Sequence, residues 1–264
     1  MKKEKSKDIS SIINPKTDKI GSCILCYDAV SSTNDIAKHG NFKDGTVIIA
    51  NTQTSGKGRN GKVWQSDTNG IWMSILLCSN TNAKRVYQTS LASGIAVCTT
   101  LNEMFNLDAK IKWPNDIVCK DKKICGILTE LVTKQNIVKK IIVGIGINVN
   151  TKRFPGNISE IAVSLYMLTG TEHSHNELIG RILENFEKYY KIMIDGDIQR
   201  IIEIYKKNCV NIGKKVIALY NGKEIIGTAA DISPIGELII SLDNGQKITV
   251  NSGEVSIRGF YGYV

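Results

Sequence analysis

Apolar positions along the chain follow two periods. Runs rich in β-branched and apolar residues at 22–28, 46–50, 71–78, 110–113, 117–119, 124–132 and 138–147 predict strands. Over residues 84–107 the apolar side chains Val86, Leu91, Ile95, Val97, Leu101 and Phe105 recur at helical spacing, which predicts one long core helix. Further helices are predicted over 160–169, 175–194 and 197–208. A short one is expected to start at a cap provided by Ser32 or Thr33 and to end at Gly40. Lys120-Asp121-Lys122 and Gln135-Asn136 read as turns between strands.

From Ile212 the texture changes to short alternating strands, broken by Asn221-Gly222, Ser233-Pro234-Ile235-Gly236 and Asp243-Asn244-Gly245. The chain therefore divides into a polar, lysine-rich lead-in (1–20), a mixed helix-and-strand domain (21–211) and a small all-β unit of SH3-like size (212–264). The lead-in is too polar to bury itself and is expected to be disordered or loosely docked.

Composition narrows the class. With 264 residues and 42% hydrophobic content the chain can bury a sizeable core. No apolar run approaches the roughly 20 residues needed to span a bilayer, and no apolar stretch follows the basic N-terminus. A soluble cytoplasmic protein is expected. The seven cysteines are an odd number, widely spread, and read as reduced thiols in apolar segments. Cys23-x-x-Cys26 is not followed by a second pair at zinc spacing. His39, His173 and His175 read as surface residues. The net charge of +9 suits an anionic ligand, an acidic partner or nucleic acid without choosing among them.

Chemistry concentrates in four segments. Gln53-Thr54-Ser55-Gly56-Lys57-Gly58-Arg59-Asn60-Gly61-Lys62-Val63-Trp64 alternates glycines with cations, a composition that can bring amide hydrogens and positive charge onto a phosphate or carboxylate. A plain solvated loop is the alternative. Gly56 to Lys62 imitates the start of a P-loop, but Val63 stands where the magnesium-binding Ser or Thr belongs. In Lys112-Trp113-Pro114-Asn115-Asp116 the proline pins an extended backbone, and the following hairpin returns Lys123 beside the polar pair. A cation there can gather the carboxylate of one substrate and the phosphate of another. In Gly144-Ile145-Gly146-Ile147-Asn148 small residues at alternate positions leave one strand face open to a flat ligand. Ser32-Thr33-Asn34 offers hydroxyls and an amide at a helix start.

Taken in order, Ser32-Thr33-Asn34, the Gln53 to Trp64 loop, Lys112-Trp113-Pro114-Asn115-Asp116, Lys123 with Gly126-Ile127-Leu128-Thr129-Glu130, Gly144 to Asn148, and Gly253-Glu254-Val255-Ser256-Ile257-Arg258 resemble biotin protein ligases over about residues 22–264. The resemblance implies an α+β fold: a mixed-sheet catalytic domain of the class II aminoacyl-tRNA synthetase and biotin ligase type, plus a C-terminal SH3-like β-barrel. It implies that biotin and ATP, with Mg²⁺ accompanying ATP and no fixed protein metal site, form an acyl adenylate. The biotin would then pass to a lysine of a biotin carboxyl carrier domain.

Site roles follow from the same resemblance. Ser32, Thr33, Asn34, Gln53, Lys57, Gly58, Arg59, Lys123, Gly144 and Gly146 would hold biotin. Lys57, Arg59, Trp64, Asn115, Lys123 and Asn148 would hold ATP or the adenylate, and Lys123, Arg59 and Asp116 would act in catalysis. Lys57 departs from the arginine common in the family and loses its planar fork. A lipoate ligase is the nearest enzymatic rival. A biotin-responsive DNA-binding regulator is a rival of another class, and with no recognition helix ahead of the core no DNA partner is expected. Both a monomer and a homodimer fit the sequence.

Overall fold

Alternation of side chains along each strand decides the architecture. In a computed structural model, residues 6–81, 84–156, 158–220, 223–251 and 255–259 are described. Eight strands form one mixed sheet: β1 (Ser6–Asp8), β2 (Ile24–Val30), β3 (Val47–Gln53), β4 (Gly70–Thr81), β5 (Lys110–Lys112), β6 (Asp116–Cys119), β7 (Lys122–Lys134) and β8 (Ile137–Asn148). Their spatial order is β1-β2-β3-β4-β8-β7-β6-β5. Only β2 and β3 pair in parallel.

Helices α1 (Ser10–Ile13), α2 (Thr33–His39), α3 (Lys84–Phe105), α4 (Ile158–Ile161), α5 (Leu165–Thr169), α6 (His175–Ile194) and α7 (Ile198–Asn208) complete this part of the chain. On β4 the odd positions Ile71, Met73, Ile75 and Leu77 enter the main core, and on β8 Ile141, Val143, Ile145 and Ile147 do the same. Apolar residues of α3, α6 and α7 cover that face. The even positions face the other way. There Ile48, Ala50, Leu76 and Ile142 meet Ala37 of α2 in a smaller apolar cluster, and the rest of that face is left open.

The hairpin turns have the backbone their sequences suggest. Lys120 and Asp121, then Gln135 and Asn136, all take positive φ, the twist that two-residue hairpins need. The helix expected over 160–169 is two short helices instead. Val163 N–H donates to Lys123 O at 2.9 Å, so the segment between α4 and α5 is drawn onto the sheet edge, and Ser164 restarts the helix as its cap.

The lead-in differs from expectation. From Ser6 it is ordered: β1 pairs antiparallel with β2, and α1 follows. The Glu187 carboxylate on α6 accepts from the amides of Asp18, Lys19 and Ile20 at 2.7, 2.8 and 2.9 Å. Amides gathered by one carboxylate hold residues 18–20, and Ile9, Ile13 and Ile20 add apolar contacts with the main core, so the polarity of the segment as a whole misled.

The C-terminal strands β9 (Lys215–Tyr220), β10 (Lys223–Ile232), β11 (Leu238–Ser241), β12 (Lys247–Val250) and β13 (Val255–Gly259) form a separate antiparallel sheet in the order β12-β11-β10-β9-β13. This small sheet is consistent with the expected SH3-like unit. The expected turn at Asn221-Gly222 lies outside the described residues, as do Gly253 and Glu254. Buried Trp113 ties the small unit to the larger domain and holds the end of the segment that leads into it. Trp113 Nε1 donates to Gly236 O at 3.1 Å, and Trp113 N donates to Asn211 Oδ1 at 2.8 Å.

Among the described residues no helix is long and apolar enough to cross a membrane. All seven cysteines are free: Cys98, Cys119, Cys125 and Cys209 are buried, whereas Cys78 is exposed, against the core reading. His173 and His175 are half-buried rather than on the surface, His173 standing edge-on to Phe105.

Candidate active site

The open sheet face begins where α2 meets it. Ser32 stands at the helix N-cap but its side chain makes no capping bond. Thr33 N donates to Gln53 Oε1 at 2.8 Å, and Gln53 Nε2 donates to Ser66 Oγ at 2.8 Å. Asn34 Nδ2 donates to Glu130 Oε2 at 2.8 Å and to Leu128 O at 3.3 Å. Ser74 Oγ lies within hydrogen-bond distance of both Thr33 Oγ1 and Asn34 Oδ1. The result is a buried, rigid set of donors and acceptors at one end of a depression in the sheet.

The alternate glycines explain how that depression exists. A Cβ on Gly144 would stand 2.4 Å from Asn34 Oδ1, so only glycine lets the amide settle there. Gly126 on β7 and Gly146 on β8 face each other in register. A Cβ on either would stand 2.8 or 2.7 Å from the Trp64 indole, so this ring lies directly over the two bare backbones. Trp72 meets Trp64 edge-on, with ring centroids 6.3 Å apart.

The basic loop is folded on itself. Gly58 N donates to Lys62 O at 2.7 Å, Lys62 N to Arg59 O at 3.2 Å, and Trp64 N to Gly56 O at 2.8 Å. A three-residue 3₁₀ turn, Arg59–Gly61, occupies its tip, with Asn60 and Gly61 at positive φ. No long helix follows, so the P-loop likeness is accidental. Three amides that the sequence offers to an anion are thus engaged within the loop, and its cations carry the positive potential. Lys57 Nζ pairs with Asp35 Oδ1 at 2.6 Å. Arg59 reaches inward, its Nη1 donating to Asn115 Oδ1 at 3.0 Å. Burial pulls the pKa of its guanidinium below the ordinary arginine value while Asp116 pushes it back up.

The second cation arrives from the β6–β7 hairpin. Lys123 Nζ forms an ion pair with Asp116 Oδ1 at 2.6 Å and stands 4.9 Å from the Trp64 ring centroid. Asn115 is held by Ile127, donating through Nδ2 to Ile127 O at 3.1 Å and accepting Ile127 N on its backbone oxygen at 2.8 Å. Asn148 Nδ2 donates to Val163 O at 3.2 Å.

One cavity of about 700 Å³ is lined by every residue to which the resemblance gives a site role: Ser32, Thr33, Asn34, Gln53, Lys57, Gly58, Arg59, Trp64, Asn115, Asp116, Lys123, Gly144, Gly146 and Asn148. That size suits a small ligand bound largely out of water. Among its described lining residues the cations are Lys57, Arg59, Lys62, Lys112 and Lys123, against Asp116 as the sole carboxylate. Trp64 Nε1 is buried with no hydrogen-bond partner, a donor whose desolvation a ligand acceptor would offset.

The sequence of the larger domain matches the Biotin/lipoate A/B protein ligase family over residues 27–148, and the tail matches the Biotin protein ligase C terminal domain over residues 212–258. The bifunctional ligase/repressor BirA of Bacillus subtilis is 33% identical over 238 residues, covering 88% of this chain and 73% of that protein. The chain belongs to the biotin protein ligase family. The biotin--[acetyl-CoA-carboxylase] ligase of Mycobacterium tuberculosis is 28% identical over 80% of this chain and 79% of its own length. Among solved structures, the biotin protein ligase of Aquifex aeolicus in complex with biotin and ATP superposes with a TM-score of 0.80. It is 30% identical and covers 89% of this chain and 98% of that one.

Several residues of this biotin protein ligase escape a sequence reading. Lys112 opens the Lys112 to Asp116 segment but is given no role there, because its alternation with Ile111 looks like ordinary strand polarity; it is buried and lines the cavity. Trp72 and Ser74 stand among apolar neighbours on β4, and only the pairing of Ser74 with Gly144 and Trp72 with Gly146 brings them to the site. Phe154, Ile158 and Ile161 line the cavity from the segment around α4, where the sequence gives no signal beyond scattered apolar residues.

Proposed function

We propose that this biotin protein ligase uses ATP to convert biotin to biotinyl-5'-AMP and then transfers the biotin to a lysine of a biotin carboxyl carrier domain, as a biotin--[biotin carboxyl-carrier protein] ligase. What carries this reading is the convergence of Lys123 and Arg59 on the adjacent pair Asp116 and Asn115, in the same cavity as the Thr33, Asn34, Gln53 and Ser74 network. Biotin offers a cyclic urea at one end and a carboxylate at the other. The cavity offers a network of neutral donors and acceptors at one place and cations at another.

In the first step the biotin carboxylate attacks the α-phosphorus of ATP and pyrophosphate leaves. The obstacle is the approach of two anions. Lys123 turns from Asp116 toward the meeting oxygens, while Arg59 adds charge from the loop. Mg²⁺ travels as part of the MgATP substrate, offsetting charge on the phosphates, with Asp116 as the carboxylate able to meet it there. Trp64 and the bare glycine backbones around it receive the flat adenine base.

In the second step the amine of the acceptor lysine attacks the acyl carbon and AMP leaves. As Lys123 turns away, Asp116 orients that amine and accepts its proton. Closure of the 54–63 loop keeps water from the anhydride. A cytoplasmic setting suits a supply of ATP and unbiotinylated carrier. Incubation with biotin, MgATP and a biotin carboxyl carrier domain, probed with streptavidin, tests the reading. Labelling of one carrier lysine is expected, and lipoate should fail to compete. Preferential transfer of lipoate would replace this function with that of the nearest rival.

A further inference from the structure

Glu130 lies on the open face of β7, four residues beyond Gly126, but does not line the main cavity. It borders a second groove beside the 54–63 loop. We infer that Glu130 is a positioning residue which, through Asn34 and Ser74, fixes the Thr33 hydroxyl as a hydrogen-bond acceptor toward the cyclic urea of biotin. This rests on the biotin reading above and adds a determinant of specificity to it.

The argument is one of proton accounting. Asn34 is 4% exposed, and its Nδ2 has acceptors for both hydrogens, Glu130 Oε2 at 2.8 Å and Leu128 O at 3.3 Å. A carboxylate can only accept, so it admits the NH₂ side of the amide and rejects the oxygen side. Lys38 stands 3.6 Å from the other carboxylate oxygen. Asn34 Oδ1 is thereby turned to Ser74 Oγ, 2.6 Å away.

Ser74 has one proton and two oxygens within reach. The amide oxygen brings no proton of its own, so the serine proton goes to Asn34. Thr33 Oγ1, at 2.7 Å from Ser74 Oγ, is too close for an oxygen pair without a proton between them. That proton is the threonine's own, so Thr33 donates to Ser74 at 2.7 Å in preference to Gln53 Oε1, which also lies within reach at 3.2 Å. Its hydroxyl then has no hydrogen to offer a ligand and presents lone pairs only. Thr33 N is committed to Gln53 at 2.8 Å. The edge of the site thus accepts a urea N–H and rejects a ring that presents an acceptor at that point.

Biotin-dependent ATP–pyrophosphate exchange tests this in wild type, Glu130→Met, Glu130→Gln, Ser74→Ala and the Glu130→Met/Ser74→Ala double variant. Glu130→Met is expected to raise the biotin KM about tenfold, the loss of roughly one well-placed hydrogen bond, with ATP KM and kcat within about twofold. Glu130→Gln keeps an oxygen for Asn34 and should recover to within about threefold of wild type. Once Ser74→Ala has broken the chain, Glu130→Met should add less than about twofold. Independent, multiplying effects would overturn the proposal, as would a parallel rise in ATP KM or a glutamine variant no better than methionine. Should Glu130→Met fail to fold, Glu130→Ala takes its place in the same cycle. Absence of biotin-dependent exchange in wild type would overturn the biotin reading itself, whereas a biotin-active wild type with an additive cycle overturns only the role of Glu130.

Discussion

Lys123 Nζ lies 2.6 Å from Asp116 Oδ1, so the cation and the carboxylate assigned to successive steps are each other's partner before substrates arrive. The pair spans the β6–β7 hairpin, and its two side chains are only 23% and 14% exposed. Substrate anions compete with Asp116 for the lysine. On the proposed mechanism, their success would turn Lys123 away and leave the carboxylate facing the place where the acceptor amine must come. One exchange of partners thus prepares both steps.

Lys123→Ala should therefore remove adenylate formation, with a loss of about 10²–10³ in kcat for pyrophosphate release, the scale of deleting one preorganised charge at a transition state. Lys123→Arg keeps the charge but not the compact head and should recover only part of the rate. Release at the wild-type rate by the alanine variant would remove Lys123 from the mechanism.

Arg59→Gly should leave adenylate formation measurable but allow the anhydride to escape. The side chain ties the loop tip to Asn115 at 3.0 Å, and glycine removes that tie. Filter retention of labelled adenylate should fall about tenfold or more, and lysines of bystander proteins should become biotinylated. Unchanged retention would contradict a lid role.

Gly144→Ala and Gly146→Ala should separate the two substrates. The first puts a methyl 2.4 Å from Asn34 Oδ1, and the second puts one 2.7 Å from Trp64 Nε1. Each overpacks the site at a cost of about 1–3 kcal/mol. Steady-state kinetics should show the Gly144 variant raising mainly the biotin KM and the Gly146 variant mainly the ATP KM. The same rise in both constants for both variants would argue against separate subsites.

His175 gives the fold a dependence on pH. Burial lowers its pKa from the ordinary 6.5, and its Nε2 lies 3.3 Å from Asn150 Nδ2. The neutral ring can accept from that amide, whereas the charged ring cannot. Well above pH 6.5 the histidine is neutral both folded and unfolded, and stability is unaffected. Below it the unfolded chain takes up a proton that the folded chain resists, so stability falls as pH drops toward the depressed folded value. Thermal denaturation at about pH 8 and pH 5.5 should show a smaller loss for His175→Gln than for wild type.

The strands were legible because their odd and even positions differ in kind. On β8, Ile145 and Ile147 alternate with Gly144, Gly146 and Asn148, and the structure puts the first set in the core and the second in the site. Lys123 was legible beside Asp116 because a tight turn fixes how a hairpin returns. The indole of Trp64 over Gly126 and Gly146 was not, since it depends on the register of strands more than 60 residues further along the chain. Nor was the docking of residues 16–20, where one carboxylate on α6 gathers three successive amides. No apolar pattern announces a contact made by backbone N–H groups.

The most direct test of the convergent cationic site needs no acceptor protein. The enzyme is mixed with biotin, Mg²⁺ and ATP labelled at the α-phosphate, then separated from free nucleotide by gel filtration. The label should travel with the protein as an acyl adenylate, near one per site, with an equal amount of pyrophosphate released. Label that elutes only as free ATP, with no pyrophosphate formed when biotin is present, would contradict it.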